Sequence, residues 1–134
     1  MRAVIIGKNK AINDALGELL RDNIACGTYF IFPQNILTNA DYEQLKDADL
    51  LLIDLNSSFT NSQLFVKELH GINPKAKIIA LHIYKDIDLI NTIISAGASA
   101  YLLVNTNHNE LVSAVAEITA GNIFITPELN YTNG

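Results

Sequence analysis

The segment Gly7-Lys8-Asn9-Lys10 follows a short apolar run near the start of the chain, and its residue types are candidates for phosphate binding. Backbone amides of a glycine loop together with a lysine ammonium can hold a phosphate group. This loop lacks the paired glycines and the Lys-Ser/Thr end of a P-loop, and it lacks the three glycines of a dinucleotide fingerprint. Nucleotide binding is therefore not expected. A small anionic ligand held by Lys8 and Lys10 stays open as an alternative.

The histidines and the cysteine offer little further chemistry. His70, His82 and His108 have no serine or cysteine nucleophile at an evident elbow. Cys26 is the single cysteine, so it can neither close an internal disulfide nor anchor a zinc site, and we interpret it as a core thiol. These features indicate that the protein is not an enzyme.

The composition bounds the class of protein. The chain has 134 residues, of which 49% are hydrophobic and 17% charged, which is typical of one folded domain and not of a disordered chain. No apolar run is long enough for a membrane span or a signal peptide, so we expect a cytoplasmic protein. Lys85 is the last basic residue, and the net charge of −5 lies entirely beyond it. Direct DNA binding is therefore not expected, because it needs basic side chains at phosphates.

The pattern of apolar residues predicts the strands and helices that would position a site. Short apolar runs without polar alternation are typical of strands buried on both faces of a parallel sheet, and helical patterns separate them. An aromatic stretch adds one strand, and Asp41 to Lys46 adds a short helix. The fold class is therefore α/β, a doubly wound five-stranded parallel sheet that carries its site at the carboxyl ends of the strands. The strand segments are Val4–Ile6, Tyr29–Phe32, Leu50–Ile53, Ile78–Leu81 and Tyr101–Val104.

Three segments, Ala48–Leu55, Lys77–Leu81 and Ala96–Leu103, resemble CheY-like receiver domains of response regulators of the NarL/LuxR type. The resemblance implies the flavodoxin-like receiver fold, with residues 1–129 as the receiver-like domain and 130–134 as a tail or the start of a linker. In that family a carboxylate at the end of the third strand accepts a phosphoryl group from a histidine kinase. Asp54 stands at that place.

The residues around Asp54 depart from the family. Receivers hold Mg²⁺ with a pair of acids after the first strand, and Gly7 and Lys8 occupy those positions. The phosphoryl-binding Ser or Thr is His82 here, and the Lys after the fifth strand is Val104. Phosphoryl transfer needs cations that neutralise the developing charge. The resemblance therefore implies a degenerate site with Asp54 as a vestigial phosphoacceptor, with Mg²⁺ binding lost and with no cofactor.

Lys8 and Asp54 follow adjacent strands, so we hypothesise that the Lys8 ammonium takes the place of the missing metal. Opposite charges about 4 Å apart attract by roughly 4 kcal/mol at an effective dielectric near 20, before desolvation. His82 would be a core or rim histidine that adds a hydrogen bond. The alternative is that Lys8 points to solvent and Asp54 only caps the loop that follows it.

The fourth helix is the candidate interaction surface. Its apolar arc is wider than the sheet requires, and the resemblance implies that the face of the fourth helix, fifth strand and fifth helix binds a protein partner or a second copy. A deeply seated helix is the alternative. Tyr101 stands at the switch aromatic of the family, but without a hydroxyl at His82 its rotamer cannot report phosphorylation. The apolar residues of the arc are Ile87, Leu89, Ile90, Ile93, Ile94 and Ala96.

These observations predict a pseudo-receiver, a non-catalytic signalling module that acts through protein–protein interaction independently of aspartyl phosphorylation. The first alternative is a phosphorylatable receiver of a two-component system, with Asp54 as phosphoacceptor, within a LuxR-type transcription regulator. The second is a flavodoxin-like domain that binds a small anionic ligand at the strand ends.

Overall fold

A computed structural model describes residues 1–24, 27–33, 36–56, 61–104 and 107–127. The interpretations of Cys26 and of the linker and tail from residue 128 onwards lie outside the described residues. Strands and helices alternate along the chain. Their bounds are β1 Arg2–Ile6, α1 Lys10–Ile24, β2 Gly27–Ile31, α2 Asn39–Asp47, β3 Leu50–Asp54, α3 Ser62–Ile72, β4 Lys77–His82, α4 Ile87–Ser95, β5 Ala100–Leu103, α5 His108–Thr119 and β6 Phe124–Ile125.

The strands form one parallel sheet in the order β2-β1-β3-β4-β5-β6. The doubly wound α/β fold predicted from the apolar runs is thereby confirmed. The chain winds outward from β1 in both directions, and the carboxyl ends of β1 and β3 flank the point where the winding reverses. Ile6 pairs in register with Ile53, so Gly7 and Asp54 lie side by side at that point.

The sheet has one strand more than the sequence predicted. Phe124 and Ile125 form β6, which pairs with Ala100 and Tyr101 of β5. The chain turns towards β5 after α5 through Gly121, whose positive φ of 94° favours glycine. A two-residue strand is too short to show an apolar period, which explains why the pattern missed it.

The core has two layers because successive strand residues point to opposite faces of the sheet. Residues such as Ile6, Leu51 and Tyr101 pack beneath α2, α3 and α4. Residues such as Ile5, Leu52 and Leu102 pack beneath α1 and α5. Every residue of β3 is buried, so the sheet is a rigid support for the side chains at its carboxyl edge.

One buried polar residue fastens α2 to the rest of the domain. The Asn73 Nδ2 amide lies within 3.0 Å of three backbone oxygens near the end of α2, those of Leu45, Lys46 and Ala48. Carbonyls at a helix end have no partner within the helix, so a donor from outside stabilises them. Asn73 therefore positions α2 against the turn between α3 and β4.

Candidate functional site

Asp54 ends β3 at the mouth of an open cavity. It is only 3% exposed, and its Oδ1 accepts a hydrogen bond from the Asn56 N–H at 3.0 Å. The cavity has a volume of about 340 Å³ and is lined by Asp54, Asn56, Lys8, Asn9 and Ile12. The carboxylate thus caps the loop that follows it and can also be reached by a small molecule through the cavity.

Lys8 shares this cavity, and its side chain is exposed. Salt bridges join Lys10 to Asp14 at 2.7 Å and Arg2 to Asp47 at 3.7 Å, and neither of these two includes Asp54. Since an acid already neutralises the Lys10 ammonium, the alternative of an anion site built on both lysines is weakened. The structure brings Lys8 and Asp54 to one cavity, and their direct pairing stays a prediction.

Asn13 is the site residue that the sequence reasoning missed. It is fully buried, and its Nδ2 donates to the Gly7 carbonyl oxygen at 2.8 Å. A Cβ atom on Gly7 would overlap the Asn13 Oδ1 and would lie 3.2 Å from the Asp54 Cβ. The Asn13 side chain therefore fills the space that any side chain at position 7 would need.

A signal for Asn13 is present in the sequence. The buried residues of α1 are Asn13, Leu16, Gly17 and Leu20, a spacing that places the asparagine on the apolar stripe of an amphipathic helix. A polar residue in such a stripe is expected to hydrogen-bond within the core. The Oδ1 of Asn13 is buried and has no hydrogen-bond partner among the described residues.

His82 ends β4 beside Asp54, and it is 6% exposed. Its Nδ1 accepts a hydrogen bond from the Ile83 N–H at 3.0 Å. An imidazole nitrogen accepts only when it carries no proton, so this hydrogen bond requires the neutral ring with its proton on Nε2. Burial lowers the pKa of His82, and the negative charge of Asp54 opposes that shift.

Two tyrosine rings surround His82. Its ring centroid lies 4.7 Å from that of Tyr84 and 6.3 Å from that of Tyr101. Tyr101 is fully buried, and its hydroxyl donates to the Tyr84 carbonyl oxygen at 2.7 Å. Burial, with a smaller effect of the Asp86 charge, raises the pKa of Tyr101 to about 12. The switch-aromatic position is thus packed inside the domain.

Val104 follows β5 at the position that the resemblance assigns to a lysine. Its backbone N–H donates to the His82 carbonyl oxygen at 3.0 Å, and its apolar side chain is partly exposed. It therefore supplies no charge to the cavity. Among the described residues, no group of three or more His, Cys, Asp or Glu side chains is placed to hold a metal ion.

Comparison with known proteins gives relatives among bacterial regulators. No model of a known protein family matches the chain. The transcriptional regulatory protein LnrK of Bacillus subtilis (strain 168) is 30% identical over 90 residues, which are 66% of this chain and 41% of LnrK. The transcriptional regulatory protein DegU of Brevibacillus brevis is 28% identical over 83 residues, which are 62% of this chain and 35% of DegU.

Solved structures share the fold over nearly the whole chain. A LuxR-family two-component response regulator from Aurantimonas sp. SI85-9A1 has a TM-score of 0.79 at 16% identity, covering 97% of this chain and 92% of that one. The isolated REC domain of RcsB from Salmonella enterica has a TM-score of 0.78 at 16% identity, covering 98% and 96%. In sequence and in fold, this chain is therefore similar to response-regulator receiver domains of the NarL/LuxR type. It spans less than half the length of the two curated relatives.

The exposure of α4 bears on the predicted interaction surface. Ile90 and Ile93 are buried, and Leu89 and Ile94 pack partly against the core. The apolar arc of α4 is thus largely covered. Large apolar side chains are exposed next to it, in the loop before the helix and at its first turn, namely Ile83, Tyr84 and Ile87. None of the helices within the described residues is long and apolar enough to span a membrane.

Proposed function

We propose that this receiver domain is atypical, a non-catalytic signalling module that works through protein contacts independently of Mg²⁺-assisted phosphorylation of Asp54. The observation that carries the proposal is the position of Asn13. Its side chain occupies the space beside Asp54 that an acidic side chain at position 7 would need. The second acid that would help to bind a divalent cation is therefore missing, and its place is filled.

The charges in the cavity support the same proposal. Mg²⁺ prefers several oxygen ligands in near-octahedral geometry, and among the described residues Asp54 is the one acid that lines this cavity. Lys8 brings a positive charge to the cavity, and Asn9, Ile12 and Asn56 complete the lining without an acid. We propose that Lys8 is the counter-charge of Asp54, that Mg²⁺ is not bound and that no cofactor is used.

A phosphorylatable receiver is the second candidate function, and the cavity itself favours it. Asp54 ends the third strand with its carboxylate open to a space of about 340 Å³, so a small phosphoryl donor could reach it. LnrK and DegU are transcriptional regulatory proteins, and the chain would then be part of a LuxR-type transcription regulator that acts through a histidine kinase.

We propose that the output is a contact with a protein partner or a second copy on the face of α4, β5 and α5. The exposed apolar side chains at the start of α4 support this surface. No Lys or Arg follows Lys85 in the sequence, which supports an interaction with protein and not with DNA. As in other response regulators, the domain would act in the cytoplasm without enzymatic activity.

The test is incubation with acetyl phosphate and Mg²⁺ followed by intact mass under conditions that preserve acyl phosphates. The Asp54→Asn variant is the control. We expect no phosphoryl adduct on the wild-type chain, because the charges that the transfer needs are not in place. An adduct that forms on the wild type and is lost in Asp54→Asn would establish the second candidate function.

A further inference from the structure

His82 lies between the aspartate cavity and the loop of residues 83–86 that leads into α4, the β4–α4 loop. On one side Asp54 of β3 acts on its charge. On the other side its Nδ1 accepts from the Ile83 N–H at 3.0 Å, and its ring lies against Tyr84. One side chain therefore contacts the loop and is also within the electrostatic influence of Asp54.

The β4–α4 loop carries exposed apolar surface, and two hydrogen bonds join its first two residues to His82 and to β5. Ile83 is 52% exposed and Tyr84 is 54% exposed. The first bond runs from the Ile83 N–H to the His82 Nδ1, and the second runs from the Tyr101 hydroxyl to the Tyr84 carbonyl. Loss of the first bond would leave the Ile83 N–H without this acceptor and would change the position of the exposed Ile83 and Tyr84 side chains.

The first bond exists only while His82 is neutral. A proton on Nδ1 turns the acceptor into a donor, which then faces the Ile83 N–H donor without an acceptor between them. The bond breaks, and the ring gains a positive charge that Asp54 attracts. Histidine is the side chain whose ordinary charge change falls within the physiological pH range.

The groups around His82 shift its protonation equilibrium in opposite directions. Asp54 on β3 is negative and favours the protonated ring, whereas burial disfavours it. Tyr101 on β5 stays neutral at physiological pH, because its pKa is raised to about 12. Tyr84, Lys85 and Asp86 of the β4–α4 loop add a phenol ring and two opposite charges, and Lys8 lies on the cavity side.

We propose that His82 is a charge-responsive latch that holds the β4–α4 loop while it is neutral and releases the loop when it takes up a proton on Nδ1. Acidification drives the release directly, and Asp54 sets the pH at which it occurs. The inference rests on the proposed function in that the released loop belongs to the partner-binding face. It gives the domain a form of regulation that needs no phosphoryl group.

The experiment follows His82 and Ile83 together by NMR between about pH 7.5 and pH 5. The imidazole ¹⁵N shifts report protonation, and the exchange protection factor of the Ile83 amide reports the bond. We expect the protection factor to fall about five-fold or more as the ring protonates, the effect of losing one hydrogen bond. Asp54→Asn should move both transitions to lower pH together, since the facing negative charge is gone.

Matched variants separate the latch from general acid effects. Asp88→Asn removes an exposed acid of α4, and His108→Gln removes an exposed histidine of α5. Both should leave the Ile83 transition where it is in the wild type. His82→Phe keeps a ring but offers no acceptor, so Ile83 should be unprotected at every pH.

Three results would overturn the latch. Ile83 could keep its protection while His82 protonates, His82 could stay neutral until the chain unfolds, or Asp54→Asn could leave the transition unchanged. The wild-type titration decides the first two even if a variant fails to fold. Labelling by acetyl phosphate is measured separately, so failure of the latch is distinguishable from failure of the proposed function.

Discussion

Restoring an acid at position 7 should be incompatible with Asn13. In Gly7→Asp the new Cβ overlaps the Asn13 Oδ1 and lies 3.2 Å from the Asp54 Cβ. Overpacking of a tight core costs about 1–3 kcal/mol, and a second carboxylate about 4 Å from Asp54 adds a repulsion of up to about 4 kcal/mol at a dielectric near 20. We expect the free energy of unfolding to fall by about 2–5 kcal/mol.

Asn13→Ala should relieve the packing part of that cost. Alone it removes the bond to the Gly7 carbonyl and costs about 1–2 kcal/mol. The double variant Gly7→Asp/Asn13→Ala should be more stable than the sum of the single effects by about 1 kcal/mol or more, because the two side chains compete for one space. Urea denaturation followed by far-ultraviolet circular dichroism measures all three variants.

Gly27→Asp is the matched control, since a Cβ atom on Gly27 meets no atom within 4 Å. It should cost less than about 0.5 kcal/mol, as surface substitutions usually do. A cost of Gly7→Asp no larger than that of Gly27→Asp would show that Asn13 does not block a side chain at position 7. Additive effects of Gly7→Asp and Asn13→Ala would show the same.

Three further predictions concern stability. Asn73→Ala should lower the free energy of unfolding by about 2–3 kcal/mol in urea denaturation, because the buried bonds to the Leu45 and Ala48 carbonyls and the part-buried bond to the Lys46 carbonyl are lost; a loss below about 0.5 kcal/mol would contradict the role of Asn73. Thr126→Val removes the hydroxyl that accepts from the Leu103 N–H at 3.1 Å, so the exchange protection of the Leu103 amide should fall about five-fold; unchanged protection would show that the bond does not hold the end of the chain on β5. The pKa of His82 is lowered in the folded chain, so the unfolded chain takes up the His82 proton at a higher pH than the folded chain does. The contribution of neutral His82 to the free energy of unfolding is therefore present above about pH 6.5 and is lost as the pH falls. Urea denaturation over a pH series should show a steeper loss for the wild type than for His82→Gln, and equal slopes would contradict the shift.

The fold followed from the sequence because its strands are buried on both faces. Runs such as Leu50–Ile53 carry apolar residues at every position, and only a sheet covered by helices on both sides buries them all. The β6 strand was not predicted from the sequence because its two residues, Phe124 and Ile125, are too few to show a periodic apolar pattern. They pair with β5 through the backbone.

The site was predictable in its placement but not in its contacts. Parallel strands bring their carboxyl ends to one edge, so Gly7, Asp54 and His82 had to be neighbours. Which atom fills the space at Gly7, and which group binds the His82 Nδ1, depends on side-chain rotamers in three dimensions. Asn13 belongs to the apolar stripe of α1 by its spacing, yet only the packed structure shows it against Gly7.

A Mg²⁺ titration of the wild-type chain, followed by NMR at the Asn56 amide, tests whether Asp54 binds the metal. This amide donates to the Asp54 Oδ1 at 3.0 Å, so a cation bound by the carboxylate must perturb it. The proposed loss of the metal site predicts no saturable shift, and the wild type should respond no more than Asp54→Asn does. A saturable shift of Asn56 that disappears in Asp54→Asn would show that Asp54 binds the metal and would contradict that loss.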